Sequence, residues 1–145
     1  MELFSRSKLV KLETEGIRRG LNFYEVPALA KQFCDNLNER LKHIPPKTEV
    51  DNYLKEVISL TAWAQHRFVW IHPFNDYNGR TARLLTNLIF LKLGLPLLEI
   101  KVESKKDRER YIKAMKLADK NDYSLLEKII FSALREALEK GLSEV

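Results

Sequence analysis

Apolar residues recur at helical spacing in five separate stretches of this chain, and prolines, glycines or capping residues interrupt the pattern between them. That combination predicts a mostly α-helical fold and leaves little chain for a sheet. After Pro27, suited to a first helical turn, Leu29, Ala30, Phe33, Cys34, Leu37 and Leu41 share a face until the two prolines of HIPPK break it. A second stripe runs from Val50 to Trp70 through Leu54, Val57, Ile58, Thr61 and Phe68, with Thr61 its least apolar member. The third stretch, RTARLLTNLIFLKLG, is apolar on most of its circumference and reads as the central, buried helix, stopped by Gly94 and Pro96. Ser104 with Asp107 and Ser124 with Glu127 predict capping boxes for two further helices. The last of these buries Leu126, Ile129, Ile130, Ala133, Leu134 and Ala137 and ends near Gly141. Residues 13–26, ETEGIRRGLNFYEV, are the exception: two glycines bracket a cationic segment followed by aromatics, a candidate for a small β-hairpin.

Length and composition narrow the classes. At 145 residues, 45% of them hydrophobic, the chain suits a single domain over residues 1–145 with a core of its own. Only five glycines and five prolines argue against a disordered or fibrous protein. Cys34 is the one cysteine, so no internal disulfide forms and a reducing compartment is expected. No stretch approaches the roughly 20 apolar residues of a membrane span, and the first residues do not read as a signal peptide, so the expected location is the cytoplasm. A net charge of +5 and a pI near 9.3 favour an anionic partner, nucleic acid or a phosphorylated small molecule.

The chemistry concentrates in residues 71–83, IHPFNDYNGRTAR. Arg80, Arg83 and Asn87 share one face of the third helix. Guanidinium groups on an otherwise apolar helix are expensive to desolvate, so they should meet carboxylates or a ligand. Side chains lean towards a helix N-terminus, so both arginines are expected to reach back over the first turn, where unsatisfied N–H groups and the helix dipole already favour an anion. Asn78 and Gly79 can adopt the left-handed or tight conformations that gather N–H groups into a nest for a diphosphate. Asp76 is a hard oxygen ligand placed to hold Mg²⁺ against phosphate oxygens, or to cap the following helix. His72 is the natural general base, Pro73 restricts the backbone, and Phe74 anchors the loop.

This stretch resembles the signature of the Fic family, domains of the filamentation-induced-by-cAMP type, written H-P-F-x-D/E-G-N-G-R-x-x-R. His72, Pro73, Phe74, Asp76, Asn78, Gly79, Arg80 and Arg83 fall in register, and Tyr77 departs by standing where the pattern has glycine. HRFVWIHPF, with His66, is similar to the family's approach to the loop. The resemblance implies an all-α Fic-type domain that transfers AMP from ATP, with Mg²⁺, to a Ser, Thr or Tyr hydroxyl of a target protein. It implies His72 as base, Asp76 as metal ligand, Tyr77, Asn78 and Gly79 around the phosphates, and Arg80 and Arg83 on the outer phosphates. It also implies a target-docking hairpin upstream, for which residues 13–26 are the candidate.

Some family members carry an inhibitory glutamate in the pattern S/T-x-x-x-E-G/N, supplied by the chain or by a separate inhibitor protein. SALREA keeps Ser132 and Glu136 but has Ala137, and KLETEG keeps Glu15 and Gly16 but has Lys11. Glu136 is thereby the candidate restraint on Arg83, against its reading as a solvent-facing side chain. The related death-on-curing (Doc) branch has lysine where this chain has Gly79 and transfers a terminal phosphate, so Gly79 favours adenylyl transfer. Two alternatives stand beside this: transfer of phosphate or another nucleotide moiety, prompted by Tyr77, and a basic regulatory module that binds nucleotide or nucleic acid without chemistry. Structural roles are expected for His43 and His66, core positions for Trp63 and Trp70, and a solvated face for SKKDRER.

Overall fold

A computed structural model describes residues 24–144. Among these residues there are five helices and no strand: α1 (Val26–Lys42), α2 (Val50–Ile71), α3 (Asn78–Lys92), α4 (Lys105–Asp119) and α5 (Ser124–Ser143). The all-α expectation holds. Most of the hairpin candidate lies outside the described residues, and its last members are a turn at Tyr24 and Glu25 leading into α1 at Val26, with Pro27 in the first helical turn.

The helix at the centre is α2, not α3. It packs against each of the other four, and the rest make no comparable set of contacts. Its opposite faces feed two cores. Tyr53, Val57, Ile58 and Val69 join Phe90, Tyr111, Leu126, Ile130 and Leu134 on one side. Leu60, Ala64 and Ile71 join Val26, Phe33, Leu37 and Ile89 on the other. Thr61 belongs to this helix because its hydroxyl donates to the carbonyls of Val57 and Ile58, at 2.9 and 3.0 Å, so a fully buried polar atom is satisfied without leaving the helix. The third helix buries Ala82, Thr86, Ile89 and Phe90 but exposes Leu84, Leu88 and Leu91. Its apolar circumference therefore exceeds what its neighbours cover, which corrects its expected place at the centre. Cys34 and Val50, expected in apolar stripes, are likewise exposed.

Helix ends follow local chemistry. Gly94 takes φ +69° after α3, and the N–H groups of Gly94 and Leu95 donate to the carbonyls of Leu91 and Phe90, a complete Schellman closure. The Tyr53 hydroxyl donates to the Leu93 carbonyl at 3.2 Å and fastens this end to α2. The chain then runs without regular structure past Leu98, whose N–H and carbonyl are both held by the Asn87 amide, at 2.7 and 3.1 Å. Asn87, on the same helix face as the arginines, spends its amide as a backbone clamp.

Ser104 caps α4 as expected, accepting from the Asp107 N–H at 3.1 Å and donating to its carboxylate at 2.7 Å. The second capping box does not form: Ser124 is already helical, and Asp122 accepts from its N–H and hydroxyl. Those two donors hold the Asp122 carboxyl below its ordinary pKa. Glu127 sits partly buried, and desolvation raises its pKa. Gly141 lies within α5, which runs two residues beyond it.

Gly94→Ala places a methyl group on a left-handed residue and 3.0 Å from the Lys47 Nζ. The lysine end can move but the backbone cannot, so a loss of about 1 kcal/mol is expected in urea unfolding; an unchanged midpoint would show that the α3 closure does not need the left-handed residue.

Candidate functional site

The motif occupies the six-residue turn from α2 to α3 and the first turns of α3. Proline disfavours the right-handed helical conformation in the residue before it. His72, next to Pro73, accordingly leaves α2 in the left-handed region, at φ 56° and ψ 57°, while its N–H still closes the helix on Phe68 at 3.1 Å. The imidazole is buried, with 9% of the residue exposed. Phe74 meets Phe68 at 6.0 Å between ring centroids, and Phe68 in turn meets Phe33 of α1 edge-on. The expected anchor is therefore present.

Asn78 closes the turn. Its side chain is buried, accepts from the Phe74 N–H at 3.0 Å and donates to the Phe74 carbonyl at 2.9 Å. The amide is thus spent on the loop backbone. The residue in the left-handed conformation is Tyr77, at φ 64° and ψ 19°, whereas Asn78 and Gly79 are the opening residues of α3. This corrects the expected nest and explains the glycine of the family pattern: that position has positive φ, which glycine adopts without cost and tyrosine does not. The Tyr77 carbonyl accepts from both the N–H and the hydroxyl of Thr81, at 2.9 and 2.8 Å, starting the helix without a side-chain cap. Asp76 is exposed and accepts from the Tyr77 N–H at 2.7 Å, one residue too early to be the cap itself.

Both arginines reach back as expected. The Arg80 guanidinium lies over the Tyr77 ring, 5.0 Å from its centroid, and both residues are exposed. Arg83 is half-buried over the Tyr111 ring at 5.6 Å, and a Cβ on Gly79 would stand 3.3 Å from its Nη1. Gly79 is therefore the floor under Arg83. The first-turn N–H groups of α3 have no acceptor within the helix, and the dipole adds positive potential there. Two guanidiniums, a helix N-terminus and a buried histidine thus gather around one short turn, an arrangement suited to a polyanion beside a proton acceptor.

Among the described residues no three His, Cys, Asp or Glu side chains form a metal cage. Asp76 supplies the single carboxylate of the turn, a donor set that fits a hard cation taking its remaining ligands from phosphate and water.

Glu136 is not brought to Arg83. Its carboxylate pairs with Lys101 at 3.0 Å, both side chains about half exposed, beside a groove that also includes Ser132, Asp107 and Arg110. The ion pair raises the Lys101 pKa. The expected restraint is thus absent here because each partner is engaged elsewhere. Glu15 lies outside the described residues. Away from the turn, His66 is buried with its Nε2 2.8 Å from the Asp119 carboxylate and its Nδ1 3.4 Å from the Tyr123 hydroxyl, tying α2 to the α4–α5 corner. His43 is exposed on Glu39, Trp63 stacks on Phe33 beneath Arg40, and Trp70 carries Arg67. Sequence reasoning missed Tyr111, Gln65 and the clamp roles of Asn78 and Asn87; the first three are buried and Asn87 partly so, which residue type alone does not reveal.

The Fic/DOC family profile matches residues 16–90. A Fido domain-containing protein of Dictyostelium discoideum is 31% identical over 136 residues, covering 90% of this chain and 90% of that one. The chain belongs to the Fic/DOC family. The protein adenylyltransferase Fic of Drosophila persimilis is 34% identical over 82 residues, 57% of this chain and 16% of that protein. The protein of the same name from Nematostella vectensis is 42% identical over 55 residues, 38% of this chain and 13% of its own length. The chain thus spans a small part of these two adenylyltransferases and most of the Dictyostelium relative. Among the described residues no helix is long and apolar enough to cross a membrane.

Asn78→Ala removes two hydrogen bonds and leaves both polar groups of Phe74 to find other partners. Its cost should be about 2 kcal/mol in urea unfolding, with faster amide exchange at Phe74; a neutral result would mean the turn closes without the clamp. Tyr77→Gly releases a left-handed tyrosine worth about 1 kcal/mol, offset in part by the greater freedom of glycine in the unfolded chain. The thermal midpoint is expected to rise slightly, and a marked fall would show that the Tyr77–Arg80 stack outweighs the backbone strain.

Proposed function

We propose that this chain is a Mg²⁺-dependent protein adenylyltransferase acting on a Ser, Thr or Tyr hydroxyl of a target protein. The hydroxyl oxygen attacks the α-phosphorus of ATP, its proton passes to His72, and pyrophosphate leaves with the electron pair of the broken P–O bond. Arg80, Arg83 and the N–H groups opening α3 hold the phosphates; Asp76 would hold the cation, which neutralises phosphate charge when bound. Such a displacement asks little covalent chemistry of the protein and depends on positioning, charge neutralisation and a placed base. The observation that carries the reading is the packing of the Arg83 guanidinium over Gly79 at the N-terminus of α3, one short turn from the buried His72. The names of the Drosophila and Nematostella relatives support it. The basic net charge of +5 agrees with an anionic substrate.

Label transfer tests it. The purified chain and a cell extract are incubated with Mg²⁺ and ATP labelled at the α- or the γ-phosphate, beside His72→Ala. The expected result is protein labelling from the α-position alone, reduced at least ~100-fold without the imidazole. Labelling from the γ-position alone would replace the proposal with phosphate transfer. No labelling, together with salt-sensitive nucleic-acid binding that survives Arg80→Ala, would replace it with a binding module.

A further inference from the structure

Arg83 rests on a residue that lies beyond the family-matched segment. Tyr111 of α4 is buried and offers its ring face to the guanidinium at 5.6 Å. Its hydroxyl donates to the Gln65 Oε1 at 2.6 Å, and the Gln65 Nε2 donates to the Thr86 hydroxyl at 2.7 Å. Gln65 and Thr86 are themselves almost wholly buried. Thr86 is one helical turn beyond Arg83 on α3, so the chain of bonds returns to the helix that carries the arginine. The ring is therefore registered against α3 by a path independent of Arg83. Arg80 has a different kind of platform: Tyr77 is 60% exposed and sits in the turn itself, open to water. A cation over a desolvated ring is held more strongly than one over an exposed ring. Burial raises the Tyr111 pKa, and both the positive charge of Arg83 and its hydrogen bond to the phenol oppose that shift.

We infer that Tyr111 is a positioning residue for nucleotide binding: its ring, registered through Gln65 and Thr86, holds the Arg83 guanidinium over Gly79 ready for a phosphate. The inference rests on the nucleotide reading proposed above.

The test is ATP affinity, by calorimetry with Mg²⁺, for the unaltered chain and for Arg83→Ala, Tyr111→Phe, Tyr111→Leu and Arg83→Ala/Tyr111→Leu. Tyr111→Phe keeps the ring but loses its registry to Gln65, so it should weaken ATP binding measurably less than Tyr111→Leu does, with a lower thermal midpoint. Tyr111→Leu should weaken binding about tenfold, the scale of a desolvated cation–π contact, and should add nothing in the Arg83→Ala background. Normal affinity in Tyr111→Leu, or equal losses in the Phe and Leu variants, would overturn the inference while leaving nucleotide binding in place. Normal affinity in Arg83→Ala would overturn the nucleotide reading and the inference with it. If Tyr111→Leu fails to fold, the Arg83 Nε–H resonance, assigned by its loss in Arg83→Lys, decides the matter. It should be displaced by the ring current in both the unaltered chain and Tyr111→Phe, and the position of a solvated arginine in either would overturn the inference.

Discussion

The side-chain amide of Asn78 engages both polar groups of the Phe74 backbone, and the geometry of the motif hangs on that pair of bonds. They close the turn between the end of α2 and the start of α3, a stretch with no regular backbone ladder of its own. With them, the buried His72 and the first turn of α3 are set against each other before any ligand arrives. The amide is buried, so water competes poorly for its partners, and the bonds are worth more than they would be on the surface.

Two non-glycine residues in this turn hold left-handed backbone, His72 leaving α2 and Tyr77 entering α3. Each carries a conformational cost that packing elsewhere must offset. For His72 the offset is visible: its N–H completes α2, and Pro73 and Phe74 seat the following chain in the core that α1 and α2 share. For Tyr77 the compensation is thinner, a half-open ring beneath Arg80. Of the two strained positions, the less compensated is thus the one where the chain departs from the pattern of its family.

Much of this was legible from residue types. Proline and glycine marked where α1 starts and α3 stops, the Ser104 cap formed as written, and the lean of helical side chains put Arg80 and Arg83 back over the first turn. What failed shares one cause. Leu84, Leu88 and Leu91 look like core on a helical wheel, but whether a face is covered depends on the neighbours, which periodicity does not contain. For the same reason α2, with its histidine, glutamine and threonine, looked less central than α3, although those polar groups find partners within the bundle. Asn78 was read through its backbone and Asn87 through its helix face, while their side-chain amides turn out to hold main-chain groups of nearby irregular segments. Glutamate at the right spacing likewise said nothing of the lysine that would claim it.

The space above Gly79 is filled by the end of Arg83 rather than by solvent. Positions 79 and 83 thus act as one steric unit in which the first residue is defined by what the second needs. A side chain at 79 requires the Arg83 guanidinium to give by a few tenths of an ångström, so substitutions at the two sites are expected to couple. A descendant of this sequence that fills position 79 therefore moves the guanidinium as well, and a change at one of the two sites alters what the other can accept.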